Sequence, residues 1–199
     1  MVRKPEICGF TLIHGVDNPR IRDSAKCLSL IMATAIRPGS DTDTKAKIKA
    51  YGATTLEGKH VKIERDGAVR LQFVGKKGVS LDIPVENPKV AAMLKECAQK
   101  AGTDGKLFPA TNARILRTYT HEVGAEDIKP KDFRTLLATR TAYEAVESIP
   151  PPATKAEFDK AVKKVGVAVS KKLGNTPTVA LQSYISPDVF AKWEAGLGV

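Results

Sequence analysis

Apolar residues along the chain recur with two different periods, and the change of period divides it. After Asn18-Pro19, residues Ile21, Ala25, Leu28, Met32 and Ala35 fall at three- and four-residue steps, which predicts a helix ended by Pro38-Gly39. Asp41 to Ala50 is polar and reads as a short helix or ordered loop before Tyr51-Gly52. From Lys59 the period becomes two. His60 to Ile63, then Val69-Leu71-Phe73, then Val79-Leu81-Ile83-Val85 predict three strands, with turns at Asp66-Gly67 and at Gly75-Lys76-Lys77-Gly78. Together they read as a three-stranded antiparallel meander.

After Pro88 the helical period returns. Asn87-Pro88 opens one helix (Val90, Met93, Leu94, Ala98) that ends at Gly102, and a second carries Ile115, Leu116 and Tyr119 and stops at Gly124. Pro130, taken as a first-turn proline, opens a third with Phe133, Leu136, Leu137 and Ala142. Ser148 to Ala153 contains three consecutive prolines and is read as an inter-helix linker over 148–153. Thr154 and Glu157 make a capping box for a lysine-rich helix ending at Gly174. Thr176 to Trp193 gives one or two short helices broken near Ser186-Pro187. The predicted class is α+β: a mainly helical domain with one small three-stranded antiparallel sheet.

Composition narrows the function. Of 199 residues, 42% are hydrophobic, enough for a packed core, and 32 Lys plus Arg against 22 Asp plus Glu leave a net charge of +10. Such a surplus favours a nucleic-acid partner, because neutralising phosphates releases condensed counterions. The longest apolar run, Cys27 to Ile36, is too short to span a bilayer, and no signal peptide is legible at the start. Cys8, Cys27 and Cys97 form neither a CxxC pair nor a disulfide framework. His14, His60 and His121 lack zinc-ligand spacing. No GxxxxGK[ST] or GxGxxG loop supports nucleotide chemistry, and no closely spaced carboxylate pair supports a two-metal nuclease.

Three features remain: the basic tip Gly75-Lys76-Lys77-Gly78, the run Lys131-Asp132-Phe133-Arg134-Thr135, and Leu173-Gly174-Asn175-Thr176-Pro177 followed by Ser183-Tyr184-Ile185. Alone, each has a plainer reading: a solvated turn, a surface arginine in an ion pair, a tyrosine packed in a helix. In order, and joined by Ile36-Arg37-Pro38-Gly39 and by Tyr51-Gly52-Ala53-Thr54-Thr55-Leu56 with Lys59-His60-Val61, they resemble the type IB DNA topoisomerases, particularly the small poxvirus, bacterial and giant-virus kind.

The resemblance implies ATP-independent and metal-independent relaxation of supercoiled DNA through a 3′-phosphotyrosyl intermediate. Carried over by position, the nucleophile falls on Tyr184, the active-site arginines on Arg37 and Arg134, the hairpin lysine on Lys76, and the histidine-or-asparagine position on Asn175. Lys59, Lys62, Lys77 and Lys131 are expected on DNA phosphates, with part of the lysine-rich Lys160–Lys172 helix. Implied with these are duplex DNA as partner, no metal, cofactor or nucleotide, no membrane, and a monomer. The compartment would be cytoplasm or nucleoid, or a virion or nucleus for a viral or eukaryotic source. Two departures stand out. Pro38 follows Arg37, with Ser40-Asp41 near it instead of a glutamate, which changes how Arg37 is propped. Only about twenty residues precede the first helix, where relatives generally carry a β-rich domain. The expectation is therefore a single catalytic domain over 1–199, as a fragment or a minimal enzyme. The alternatives are a tyrosine recombinase, whose third motif usually reads His-x-x-Arg, and a non-catalytic duplex-binding module.

Overall fold

A computed structural model describes residues 17–40, 48–123 and 128–197, and these divide into two compact units, 1–130 and 131–199. In the first unit, α1 (Pro19–Thr34) begins where the Asn18 side chain accepts the Arg20 amide hydrogen and a proline occupies the first turn. The helix stops one residue before the sequence pattern implies. Ala35, read as its last apolar position, is left-handed (φ 52°) and its N–H closes on the Ile31 carbonyl.

Three strands follow, β1 (Val61–Ile63), β2 (Val69–Val74) and β3 (Ser80–Pro84), antiparallel in the order β1-β2-β3, as the alternation predicts. Val61 faces Leu71, and Phe73 faces Leu81. Val69, Leu71 and Phe73 bury one face of β2, while Arg70 on the other pairs with Asp82 of β3 at 2.7 Å. Helix α2 (Pro88–Ala101) starts at an Asn87 cap and α3 (Ala113–Val123) follows a loop; α1 packs against both. Leu30, Ile31, Leu56, Leu71, Leu94, Phe108 and Leu116 form the fully buried centre of this unit. The Asp41–Ala50 segment and the Gly124 stop fall largely outside the described residues.

The second unit holds α4 (Asp132–Glu147), α5 (Lys155–Leu173), α6 (Pro177–Ser183) and α7 (Ala191–Leu197). Pro130 does not sit in the first turn of α4; it and Lys131 form a turn before the helix begins at Asp132. The buried stripe of α4 also differs from the predicted one. It runs through Phe133, Arg134, Ala138, Ala142 and Val146, and Leu136 is 65% exposed. Four-residue steps from Arg134 set that stripe, and its two alanines let α5 pack closely on α4. Thr154 caps α5 as predicted, accepting from the Glu157 amide, while the Glu157 carboxylate accepts from the Ala153 amide. Gly174 closes α5 in a left-handed conformation (φ 58°). Phe158, Phe190 and Trp193 pack edge-on or tilted at 5.9–6.4 Å and anchor the C-terminal turns.

Candidate active site

Arg37 lies in the loop after α1, and a second loop stitches it in place. Ala53 donates its amide hydrogen to the Arg37 carbonyl at 2.9 Å, and Thr54 gives the Pro38 carbonyl both its amide (2.9 Å) and its hydroxyl (3.0 Å) hydrogen. Pro38, the departure from the family pattern, is thus held through its carbonyl. The approach is close enough to demand glycine: a Cβ on Gly52 would stand 2.5 Å from Gly39 Cα and 2.7 Å from the Arg37 oxygen.

That second loop also reaches the basic tip. Tyr51 donates its amide hydrogen to the Val74 carbonyl at 2.8 Å, two residues before Lys76. The tip is a tight 3₁₀ turn over Lys76–Gly78, closed by Gly75 N–H on the Val79 carbonyl at 2.7 Å. Lys76 and Lys77 are both exposed there, and Lys77 is forced to φ 65°. One continuous hydrogen-bonded frame therefore carries Arg37 and Lys76.

Beneath this frame lies a group that sequence reasoning missed. Glu57 is 8% exposed; Lys49 Nζ (2.9 Å), Lys59 Nζ (2.8 Å) and the Tyr51 hydroxyl (3.3 Å) all meet its carboxylate. Burial pushes the carboxyl up, but the hydrogen bonds from Lys59 and Lys49 outweigh it and hold the group at about 2. Asp104 at 2.8 Å, together with Glu57, raises Lys59, so this expected DNA contact is already engaged in two ion pairs. His60 accepts the Glu57 amide hydrogen at Nδ1 (2.9 Å), which places its own proton on Nε2. Burial lowers its basicity, and its ring packs tilted against Tyr51 at 4.2 Å and edge-on to Phe73 at 6.3 Å. The one available signal was Glu57 itself, the single acidic residue between Asp43 and Glu64 in a stretch crowded with lysines.

In the second unit the structure brings Arg134 and Tyr184 together, and Arg134 reaches the end of the helix that Asn175 follows. Arg134 is 2% exposed, its Nη2 donates to the Leu173 carbonyl at 3.0 Å, and its guanidinium carbon lies 5.3 Å from the centre of the Tyr184 ring. Two residues past Leu173, Asn175 has both amide atoms buried, and among the described residues neither finds a hydrogen-bond partner. Tyr184 is half-buried at the C-terminal end of α6, and its carbonyl accepts from the Thr139 hydroxyl at 3.3 Å. Lys62 and Lys131 are exposed, on β1 and in the turn before α4. Among the described residues no three His, Cys, Asp or Glu side chains gather as a metal site, and no helix is long and apolar enough to cross a membrane.

The mainly helical α+β class agrees with what a comparison with protein families finds. A model of the catalytic core of eukaryotic DNA topoisomerase I matches residues 15–194. The match takes in most of both units, and the chain belongs to that family, a family of topoisomerase enzymes whose partner is DNA. No curated protein matches the chain.

Proposed function

We propose that the chain is a type IB enzyme, relaxing supercoiled duplex DNA without ATP or metal by cutting one strand and resealing it. The observation that carries this reading is the buried Arg134 guanidinium over the Tyr184 ring, together with an Asn175 amide that is buried and finds no partner among the described residues. A buried amide with open donor and acceptor atoms is costly unless a ligand completes it, and a phosphate oxygen would accept from its Nδ2. The Tyr184 oxygen attacks phosphorus, a P–O bond to the phenol forms, and the bond to the 5′-oxygen breaks. The phenol proton passes to solvent as the new bond forms, and the adjacent guanidinium stabilises negative charge on the attacking oxygen.

Negative charge building on the non-bridging oxygens is met by Arg37 and Arg134, whose planar forks are permanently charged. Lys76 protonates the departing 5′-oxygen. The 3′-phosphotyrosyl link keeps the energy of the broken bond, so the reverse attack reseals the strand without a nucleotide. Lys62, Lys77 and Lys131, with exposed lysines of α5, sit on backbone phosphates and position the duplex. The test is incubation with supercoiled plasmid in EDTA without ATP. A ladder of relaxed topoisomers is expected. Recombinant products would mean a strand transferase, and retarded but still supercoiled plasmid a binding module.

A further inference from the structure

We propose that Glu57 is a positioning residue for Lys76, acting through Tyr51, an inference that rests on the proposed acid role of Lys76. A carboxylate buried to this degree is expensive to desolvate, and an ion cluster of this kind adds little net stability over apolar packing. What it supplies is direction. Glu57 draws in Lys49, Lys59 and the Tyr51 hydroxyl, and its own backbone N–H fixes His60 through Nδ1. Lys49 Nζ also lies 4.8 Å from the Tyr51 ring centre, and the His60 ring packs tilted against Tyr51 at 4.2 Å and edge-on to Phe73 at 6.3 Å. Tyr51 is thereby held from its hydroxyl to its ring.

Its amide in turn grips the Val74 carbonyl, and Phe73 precedes Val74 on the strand that delivers Gly75 and Lys76. Lys76 is a long exposed side chain on a two-glycine turn, and among the described residues no such fixing of its own is seen. Arg37 depends on the clamp less, because Thr54 ties the neighbouring Pro38 independently with two hydrogen bonds. The clamp therefore bears chiefly on protonation of the leaving oxygen.

The test compares Glu57→Gln with wild type and Lys76→Ala in single-turnover cleavage of duplexes whose scissile 5′-bridging atom is oxygen or sulfur. A thiolate leaves without a proton, so it removes the need for the acid. Glu57→Gln is expected to cleave the oxygen duplex about tenfold more slowly, cleave the sulfur duplex within about twofold of wild type, and bind DNA within about threefold, as befits a lost acid alignment. Equal slowing on both duplexes while Lys76→Ala recovers on sulfur would overturn the positioning role and leave Glu57 a structural residue; so would wild-type rates on both. If Lys76→Ala does not recover on sulfur, the acid role of Lys76 fails instead. Amide hydrogen exchange then decides the clamp by itself. Faster exchange of Tyr51 and Gly75 in Glu57→Gln, with Leu94 unchanged, sustains it, and unchanged exchange at all three overturns it.

Discussion

Lys76 and Lys77 are adjacent on one turn, yet their backbones set different tasks. Lys77 occupies the left-handed region at φ 65°, which costs a residue with a Cβ about 1–2 kcal/mol. A lysine kept there at such cost points to a use for its charge. Lys77→Gly is expected to gain up to about 1 kcal/mol in urea unfolding, since relief of strain is partly offset by the extra freedom of the unfolded chain. The same change should weaken DNA binding and lower the salt slope by about one. Lys76→Ala should instead leave binding nearly unchanged and slow cleavage by roughly 10²–10⁴-fold, the range of a lost general acid. Weakened binding without slowed cleavage in Lys76→Ala would exchange the two roles.

At the scale of elements, the loop 51–60 is the piece on which the first unit's chemistry depends. Gly52→Ala must push its new methyl against Gly39 backbone at 2.5 Å, so the Arg37 loop has to move. A loss of about 1–3 kcal/mol is expected in thermal or urea unfolding, with cleavage falling further than DNA binding. Glu57 gives the same loop a pH signature. Its folded carboxyl, at about 2, lies below the ordinary 4.5, so its contribution is present above 4.5 and is lost as pH falls towards 2. That contribution is at most roughly 3 kcal/mol, because water screens the part-exposed Lys49 and Lys59. Glu57→Gln should therefore lose less stability than wild type between those two pH values. His60, lowered by burial and partly restored by the Glu57 charge, destabilises the fold as pH falls below its usual 6.5, so the comparison is made below that step, between 4.5 and 2.

The elements themselves were legible because period and punctuation are local: two-residue alternation gave the sheet, and Asn18, Asn87, Thr154 and Gly174 marked helix ends that the structure keeps. The stripe of α4 was not, because apolar counting passes over an arginine. Arg134 is buried by its tie to Leu173 and its place over Tyr184, both long-range contacts. Glu57 escaped for the same reason, since Lys49 and Tyr51 reach it only once the loop has folded back.

For the whole molecule, a net charge of +10 makes affinity for duplex DNA an electrostatic quantity. Binding should fall with salt on a log–log slope near −0.9 for each phosphate neutralised, and affinity that hardly changes between low and moderate salt would refute this grip. Affinity of that kind is separate from the chemistry, because removing one hydroxyl leaves the charge untouched. In the proposed reaction Tyr184 becomes bonded to the 3′-phosphate of the cut strand. The most direct measurement is a denaturing gel of wild type and Tyr184→Phe, each mixed with duplex labelled at either end of the scissile strand. Wild type should give a slow band carrying only the 5′-end label, and Tyr184→Phe should give none while binding the duplex within a few-fold of wild type. A slow band that persists in Tyr184→Phe would rule out Tyr184 and shift the nucleophile to another residue, with the exposed Tyr143 the first alternative.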